Sequence, residues 1–363
     1  MKIAHVAHIR LPTEKAHGYQ IMRVLSELAK LGHTVTLYVP RRKNAIQDDP
    51  FSYYGIEKNF NVEYVPCFDA IGTLNFLGPL AFWISMRSFL RNLSIPREAL
   101  VYTRDADIVA FLGKKGYRCI YNAHNWNPKR ISRVRYAEGV VCNTKGTEEA
   151  LKKSLILPTV VAYNASDPNP YTGSNKEVLR EELSLPTSAP IALYAGHLYG
   201  WKGAGVLLEA ARLLPNVFFA IVGGSEEDRA KIALESPPNL ALLGHKPKAE
   251  VPKYLAAADV LLLPNTTATE ESVRYTSPIK MFEYMAAGRP IVASDLPSIR
   301  EVLSPDIALF VVPGDSTALK KGVEETFAHP AEAKQRGENA LQKSKMHTWG
   351  AHANVVADFL ARV

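Results

Sequence analysis

Short apolar runs rich in β-branched residues alternate along the chain with segments whose apolar positions recur every three to four residues. That alternation predicts parallel sheets joined by crossover helices. In the first half the strands read KIAHVAHI, TVTLYVP, VEYVPCF, ALVYTRD, RCIYNAHN, GVVCNT and TVVAYN. Between the first two lies YQIMRVLSELAKLGH, with Ile21, Val24, Leu25, Leu28 and Leu31 at helical spacing and Gly32 as its C-terminal cap. The stretch ASDPNPYTGSNK, residues 165–176, has no apolar period and reads as a linker. Beyond it the alternation restarts. Strands PIALYAG, VFFAIVGG, LALLG, VLLLPN, PIVAS and ALFVVP are interleaved with helices AGVLLEAARLL, EEDRAKIAL, AEVPKYLAAA, SPIKMFEYMAAG and LPSIREVL.

The expected organisation is α/β, two Rossmann-like doubly wound domains: residues 1–168, a linker over 169–177, and residues 178–347. A last helix over 348–363 carries Trp349, Val355, Val356, Phe359 and Leu360 on one stripe. It must cover something, its own domain or the first. Open α/β sheets bind ligands beyond the carboxyl ends of their strands, so the candidate site is a central cleft that the two sets of strand ends face.

Length and composition narrow the class. At 363 residues, two cores are the default, and 47% hydrophobic with 22% charged residues is ordinary for a soluble protein. Three scattered cysteines argue for a reducing compartment and against a zinc or disulfide framework. The N-terminus MKIAHVAHIRLP reads as a strand, not a signal peptide, and no window is long enough to span a bilayer. The expectation is a cytoplasmic protein. A net charge of +7, spread along the chain without a nucleic-acid motif, leaves phosphate-bearing substrates and an anionic membrane surface open and argues against nucleic acid.

The chemistry-bearing residues fall after strands. In LYAGHLYGWKG, Gly196, Gly200 and Gly203 permit close backbone approach and Lys202 offers a point charge; a glycine-rich turn with a solvated lysine is the plain alternative. In SPIKMFEYMAAG, Ser277 is placed as N-cap and Pro278 as first helical residue, so the amides of Ile279 and Lys280 form an anion site. Glu283 either pairs with Lys280 at helical spacing or accepts bonds from ribose hydroxyls. In the first half, Arg104, Asp105 and His124 end strands. Asp105 and Asp107 read as helix caps, not metal ligands, and His5 and His8 as core residues. The segment LNFLGPLAFWISMRSFLRN mixes aromatics with Arg87 and Arg91; it suits a membrane interface or packing on the first sheet equally.

These stretches, with LLGHKP, AAADVLLLPN and the run on to GRPIVASDLPSIREVL, resemble the donor-binding domain of GT-B glycosyltransferases, the retaining family 4 group with its glycogen-synthase-like donor domain. YTRD, YNAHN, VVCNTKGTEEALKK and YNASD are similar to the acceptor domain of that group. The resemblance implies transfer of a sugar, with retention, from a nucleotide-diphosphate sugar to a glycan, lipid-linked or small-molecule acceptor. No metal cofactor is implied, and the base, uridine, guanosine or adenosine, is left open. It assigns the donor diphosphate to Gly196, His197, Lys202 and the Ser277, Pro278, Ile279, Lys280 helix start. It assigns the ribose to Glu283, the neighbourhood of the transferred sugar to His124, and the loop after the first strand to Gly18. His124, Lys202 and Glu283 are the candidate catalytic residues, and Gly18, Arg104 and His124 the acceptor side.

Three positions depart from the pattern. His197 stands where the family often has arginine, Tyr275 where the first glutamate of a pair would fall, and Asn164-Ala165 where Asn-Gly is usual. A non-catalytic nucleotide-sugar-binding protein is the main rival expectation. A dinucleotide-dependent oxidoreductase ranks below it, because LPTEKAHGYQI holds one glycine where G-x-G-x-x-G is needed.

Overall fold

The computed structural model describes residues 1–198 and 200–363, Asn75 by its backbone alone. It divides into two compact units: Met1–Asn143 with Thr147–Ala162 and Trp349–Val363, and Thr144–Gly146 with Tyr163–Thr348.

The first unit is built on a seven-stranded sheet. Its strands are β1 Lys2–Val6, β2 Thr34–Pro40, β3 Asn61–Val65, β4 Leu100–Thr103, β5 Cys119–Ala123, β6 Gly139–Cys142 and β7 Thr159–Val161. The order is β3-β2-β1-β4-β5-β6-β7, every pair parallel, with Ile3 opposite Val35 on one side and Leu100 on the other. The order reverses between β1 and β4, which opens a crevice at their carboxyl ends. Residues such as Val6, Val101 and Val140 are fully buried, as a sheet covered on both faces requires.

The second unit is built on a six-stranded parallel sheet: β8 Ile191–Ala195, β9 Phe218–Val222, β10 Leu240–Gly244, β11 Val260–Leu263, β12 Ile291–Ser294 and β13 Leu309–Val311. The order β10-β9-β8-β11-β12-β13 places its switch point between β8 and β11, where Leu193 lies opposite Leu261. Both units are thus doubly wound, and each predicted strand run overlaps an observed strand.

The terminal helix, Trp349–Arg362, belongs to the first unit. Trp349 is buried and meets Tyr19 edge-on at 6.2 Å. Phe359 fills the space beside Gly139, where a Cβ would lie 2.7 Å from its ring. Trp349, Val356, Phe359 and Leu360 of the predicted stripe are therefore a packing face for the first unit, while Val355 is exposed.

The segment 165–176, expected as a linker, packs on the second unit, and the boundary falls after Ala162. The Asn169 amide donates to Pro252 O at 2.9 Å, the Thr172 hydroxyl to Ala286 O at 2.9 Å, and Asn175 caps the helix Lys176–Glu182. Polar side chains that read as solvated loop are spent on backbone groups of the fold. Helices Ser316–Ala328 and Pro330–Ser344 lie in a region the periodicity did not resolve, and the period-free TTATEESVRYT contains one turn of π-helix, Glu271–Tyr275.

Candidate active site

In the second unit the loop after β8 is built by glycines that no other residue replaces. Gly196 sits at φ +144°, and a Cβ on it would stand 3.3 Å from the Tyr194 hydroxyl and 3.4 Å from Lys280 Nζ. At Gly203, φ +87°, a Cβ would lie 2.0 Å from Pro264 O. Tyr199 falls outside the described residues. A short turn, Gly200–Lys202, carries Lys202, and Thr266 N donates to Trp201 O at 2.9 Å, tying the loop to the exit of β11.

The helix Ile279–Ala287 buries most of its faces, Lys280 among them. Lys280 Nζ lies 3.8 Å from the centroid of the Tyr194 ring and has no hydrogen-bond partner among the described residues. Burial, and then the charge of Lys202, hold its amine well below the usual lysine range. Burial also brings Lys202 down to about 8. Burial and Lys202 hold the His197 imidazole low, with Lys280 and His245 pushing the same way and Asp228 against. Nitrogen bases thus crowd one place, each resisting a positive charge. That arrangement costs the empty protein and favours a bound anion.

The expected capping is corrected. Ser277 is not the N-cap: Pro278 takes that position without a side-chain bond, and the Ser277 hydroxyl accepts from Asn164 N at 3.1 Å. The Asn164 amide also donates to Ser277 O. Asn164 therefore fixes the entry to the helix, and Pro278, lacking an N–H, leaves the Ile279 and Lys280 amides as the open donors.

The Glu283–Lys280 pairing is corrected too. Glu283 pairs with Lys248, from the loop after β10, and Lys280 has no hydrogen-bond partner among the described residues. Sequence reasoning missed Lys248, although HKPK directly after a strand, ending on Lys248, carries the same signal that singled out Lys202. Tyr275 closes the π-helical turn and is buried, its phenol pushed up by burial. That turn is held by the Ser298 hydroxyl donating to Ser272 O at 2.7 Å and the Thr144 hydroxyl to Arg274 O at 3.3 Å. One turn earlier, burial raises the Glu271 carboxyl to about 7.

In the first unit, Arg104 and His124 line one cavity at the ends of β4 and β5, with His5, Gln20, Tyr102 and Asn122. His124 O accepts from the Asn143 amide at 2.9 Å, while His124 Nε2 and Arg104 Nη1 have no partner among the described residues. Burial, then Arg104, holds the His124 imidazole neutral, well below its ordinary value. Burial alone brings Arg104 to about 10. Gly18, expected in a loop, lies in the first turn of the helix Ala16–Lys30. A Cβ there would lie 2.2 Å from the Tyr54 hydroxyl, which accepts from Thr13 N at 2.8 Å, so Gly18 makes room for that bond. Asp105 caps the helix Ala106–Gly113 as expected, accepting from Asp107 N at 2.8 Å, whereas Asp107 is not a cap: it lies in the first helical turn and pairs with Arg133 at 2.8 Å.

A pH dependence follows from Lys202. A diphosphate held at Lys202 would favour the charged amine, which burial brings down to about 8 in the empty protein and which such a ligand would raise. Affinity for a nucleoside diphosphate is expected to be constant below about pH 7.5 and to fall about tenfold per pH unit above 8. Calorimetric titrations across pH 7–9.5 check it, and a flat profile contradicts it.

Comparison with known proteins places this geometry. Residues 175–343 match the family model described as Glycosyl transferases group 1. The amylovoran biosynthesis glycosyltransferase AmsK of Erwinia amylovora is 34% identical over 150 residues, 39% of this chain and 36% of that protein. The putative teichuronic acid biosynthesis glycosyltransferase TuaC of Bacillus subtilis is 28% identical over 237 residues, 64% of this chain and 55% of that protein. The chain thus spans about a third to just over half the length of these relatives. Among solved structures, Anabaena HepE in complex with UDP-glucose superposes with a TM-score of 0.77 at 18% identity, each chain covered in full. Sucrose-phosphate synthase from Thermosynechococcus elongatus superposes at 0.75 with 17% identity, over 99% of this chain and 98% of that one. The chain therefore has the GT-B fold, with a group 1 glycosyltransferase match across most of its second unit.

Proposed function

We propose that the protein is a glycosyltransferase that takes a sugar from a nucleotide-diphosphate donor bound by its second unit. The observation that carries this reading is the buried Lys280 amine, without a hydrogen-bond partner among the described residues, beside Lys202 and the helix-start amides of Ile279 and Lys280. In transfer, the bond from the anomeric carbon to the diphosphate breaks, a bond to an acceptor hydroxyl oxygen forms, and the hydroxyl proton leaves with the diphosphate. The barrier lies in the charge growing on the leaving group, and in this reading the two lysines and the amides take it without a metal. The transfer is read as retaining. Gly196 and Gly203 keep the loop close to the phosphates, with His197 beside them.

Glu283, on the same helix, takes the ribose hydroxyls, with Lys248 holding its carboxylate in place. Arg104 and the neutral His124 serve the acceptor side and the transferred sugar. The acceptor is a glycan or a lipid-linked or small-molecule hydroxyl. The protein works in the cytoplasm and docks on the inner face of a membrane. Relatives named for amylovoran and teichuronic acid biosynthesis support a glycan acceptor.

Glu283→Ala is expected to lower nucleoside diphosphate affinity about tenfold and to erase the preference for ribo- over deoxyribonucleotide. Wild-type discrimination in the variant contradicts the ribose role. One observation favours a second reading, a non-catalytic nucleotide-sugar binder: the buried Tyr275, at the position of the first glutamate, brings no carboxylate to the sugar. Release of free nucleotide from a sugar-nucleotide panel, with acceptor glycans present, tests both. Turnover supports the transferase, and tight binding without turnover supports the second reading.

A further inference from the structure

Helix Pro79–Asn92 buries Ala81, Ser85, Met86, Phe89 and Leu90 against the first unit. Its buried face also reaches the end of β1, where His8 Nε2 lies 3.2 Å from the Ser85 hydroxyl. So far this is an ordinary amphipathic helix, whose other face is expected to be polar. Here that face begins Leu80, Phe82 and Trp83 and only then turns to Arg87 and Arg91, all of them exposed. Phe76, in the turn before the helix, is 78% exposed and Trp83 54%. Among the described residues, every exposed phenylalanine and tryptophan falls between Phe68 and Trp83. Single exposed apolar residues are common, but a contiguous aromatic group marks a surface that meets something apolar.

The charge around this patch has one sign. Residues 70–97 contain no Asp or Glu. The acid just before them, Asp69, is occupied by Arg42 at 2.9 Å and by Gly72 N at 3.0 Å. Exposed Arg41 and Lys43 lie in the neighbouring loop, where Lys43 N donates to Asp69 at 3.1 Å. The chain leaving β3 runs beside the helix, with Phe68 N donating to the Ser88 hydroxyl at 2.8 Å. The guanidinium of Arg87 stands 5.2 Å from the centroid of the Trp83 ring, so cation and aromatic meet on the same face. Aromatic side chains in front with unopposed arginines and lysine behind match the layering of a bilayer surface, acyl boundary beneath anionic headgroups. A second copy docked symmetrically through the same face would set these cations against each other.

We propose that Phe68, Phe76, Leu80, Phe82 and Trp83 insert into the headgroup boundary of an anionic bilayer, with Arg41, Lys43, Arg87 and Arg91 bound to its phosphates. This names the surface through which the membrane docking in the proposed function takes place. It is tested with no donor or acceptor present, so its failure leaves the transferase reading standing.

The test is flotation of the full chain with phosphatidylcholine vesicles, with or without roughly a third of phosphatidylglycerol. Binding is expected only with the anionic lipid and is expected to weaken with salt. Phe76→Ser/Trp83→Ser and Arg87→Glu/Arg91→Glu are each expected to lose about tenfold or more of it. Both pairs lie on the surface and are expected to keep the thermal shift given by nucleoside diphosphate. In the wild type, vesicles are expected to slow amide exchange across residues 74–92, a readout independent of any variant. Absence of binding, equal binding to neutral vesicles, unprotected amides in that segment, or variants that bind as the wild type each overturn the proposal. So does a dimer that the serine pair dissolves, if vesicles are not bound.

Discussion

Lys280→Met is expected to make the protein more stable and nearly inactive. The lysine amine is buried against the Tyr194 ring without a hydrogen-bond partner among the described residues, and burial and Lys202 both oppose its charge. A methionine of similar length fills the same space without that cost. Replacing a poorly compensated buried charge with an apolar side chain stabilises by about 2 kcal/mol, which raises the melting temperature by roughly 5 °C for a unit of this size. In the proposed function the same change removes a cation from beside the leaving diphosphate, so turnover is expected to fall about 100- to 1000-fold. A purely structural lysine predicts the opposite pairing: lower stability with activity retained. Melting curves and turnover on one preparation separate the two.

Lys202→Ala is expected to lose activity on a similar scale with little change in stability. Lys202 is half-buried in a loop held by Thr266 and by the glycines on either side, so little packing depends on its side chain. Its amine, brought down to about 8 by burial, is part-neutral at physiological pH and in the proposed complex becomes fully charged on a diphosphate. The variant is expected to turn over about 100- to 1000-fold more slowly and to lose the fall of affinity above pH 8. Near-normal turnover removes Lys202 from the mechanism. Retained turnover with the pH profile unchanged assigns that titration to another group.

Both lysines can be singled out from the sequence as candidates, because doubly wound sheets put ligands at strand ends and the strands themselves are plain. Runs such as VLLLPN and PIVAS are apolar enough to be central strands, and β11 and β12 lie inside them. What the sequence withheld were partners brought in from far away. Ser277-Pro278 has the local form of a helix cap, but Asn164, 113 residues earlier, takes the serine hydroxyl. Glu283 and Lys280 have the spacing of a helical pair, but Lys248, 35 residues away, reaches the carboxylate. The segment 165–176 has the composition of a linker because its polar side chains satisfy backbone carbonyls that the sequence does not display. Tyr275 is the plainest case. A loop without periodicity conceals a π-helical turn, which buries that tyrosine and sets Glu271 one turn before it.

The account stands on the second unit binding a nucleotide-diphosphate sugar through Lys202, Lys280 and the helix amides. The most direct measurement is the melting temperature of the wild type and of Lys280→Met with a saturating panel of uridine, guanosine and adenosine diphosphate sugars. A ligand that binds only the folded state raises the transition, by about 2.7 kcal/mol of stability at a hundred times its dissociation constant. At least one donor is expected to raise the wild-type transition by several degrees and to leave the variant unmoved. If no sugar nucleotide shifts the wild type, or if the variant shifts equally, the central claim is contradicted.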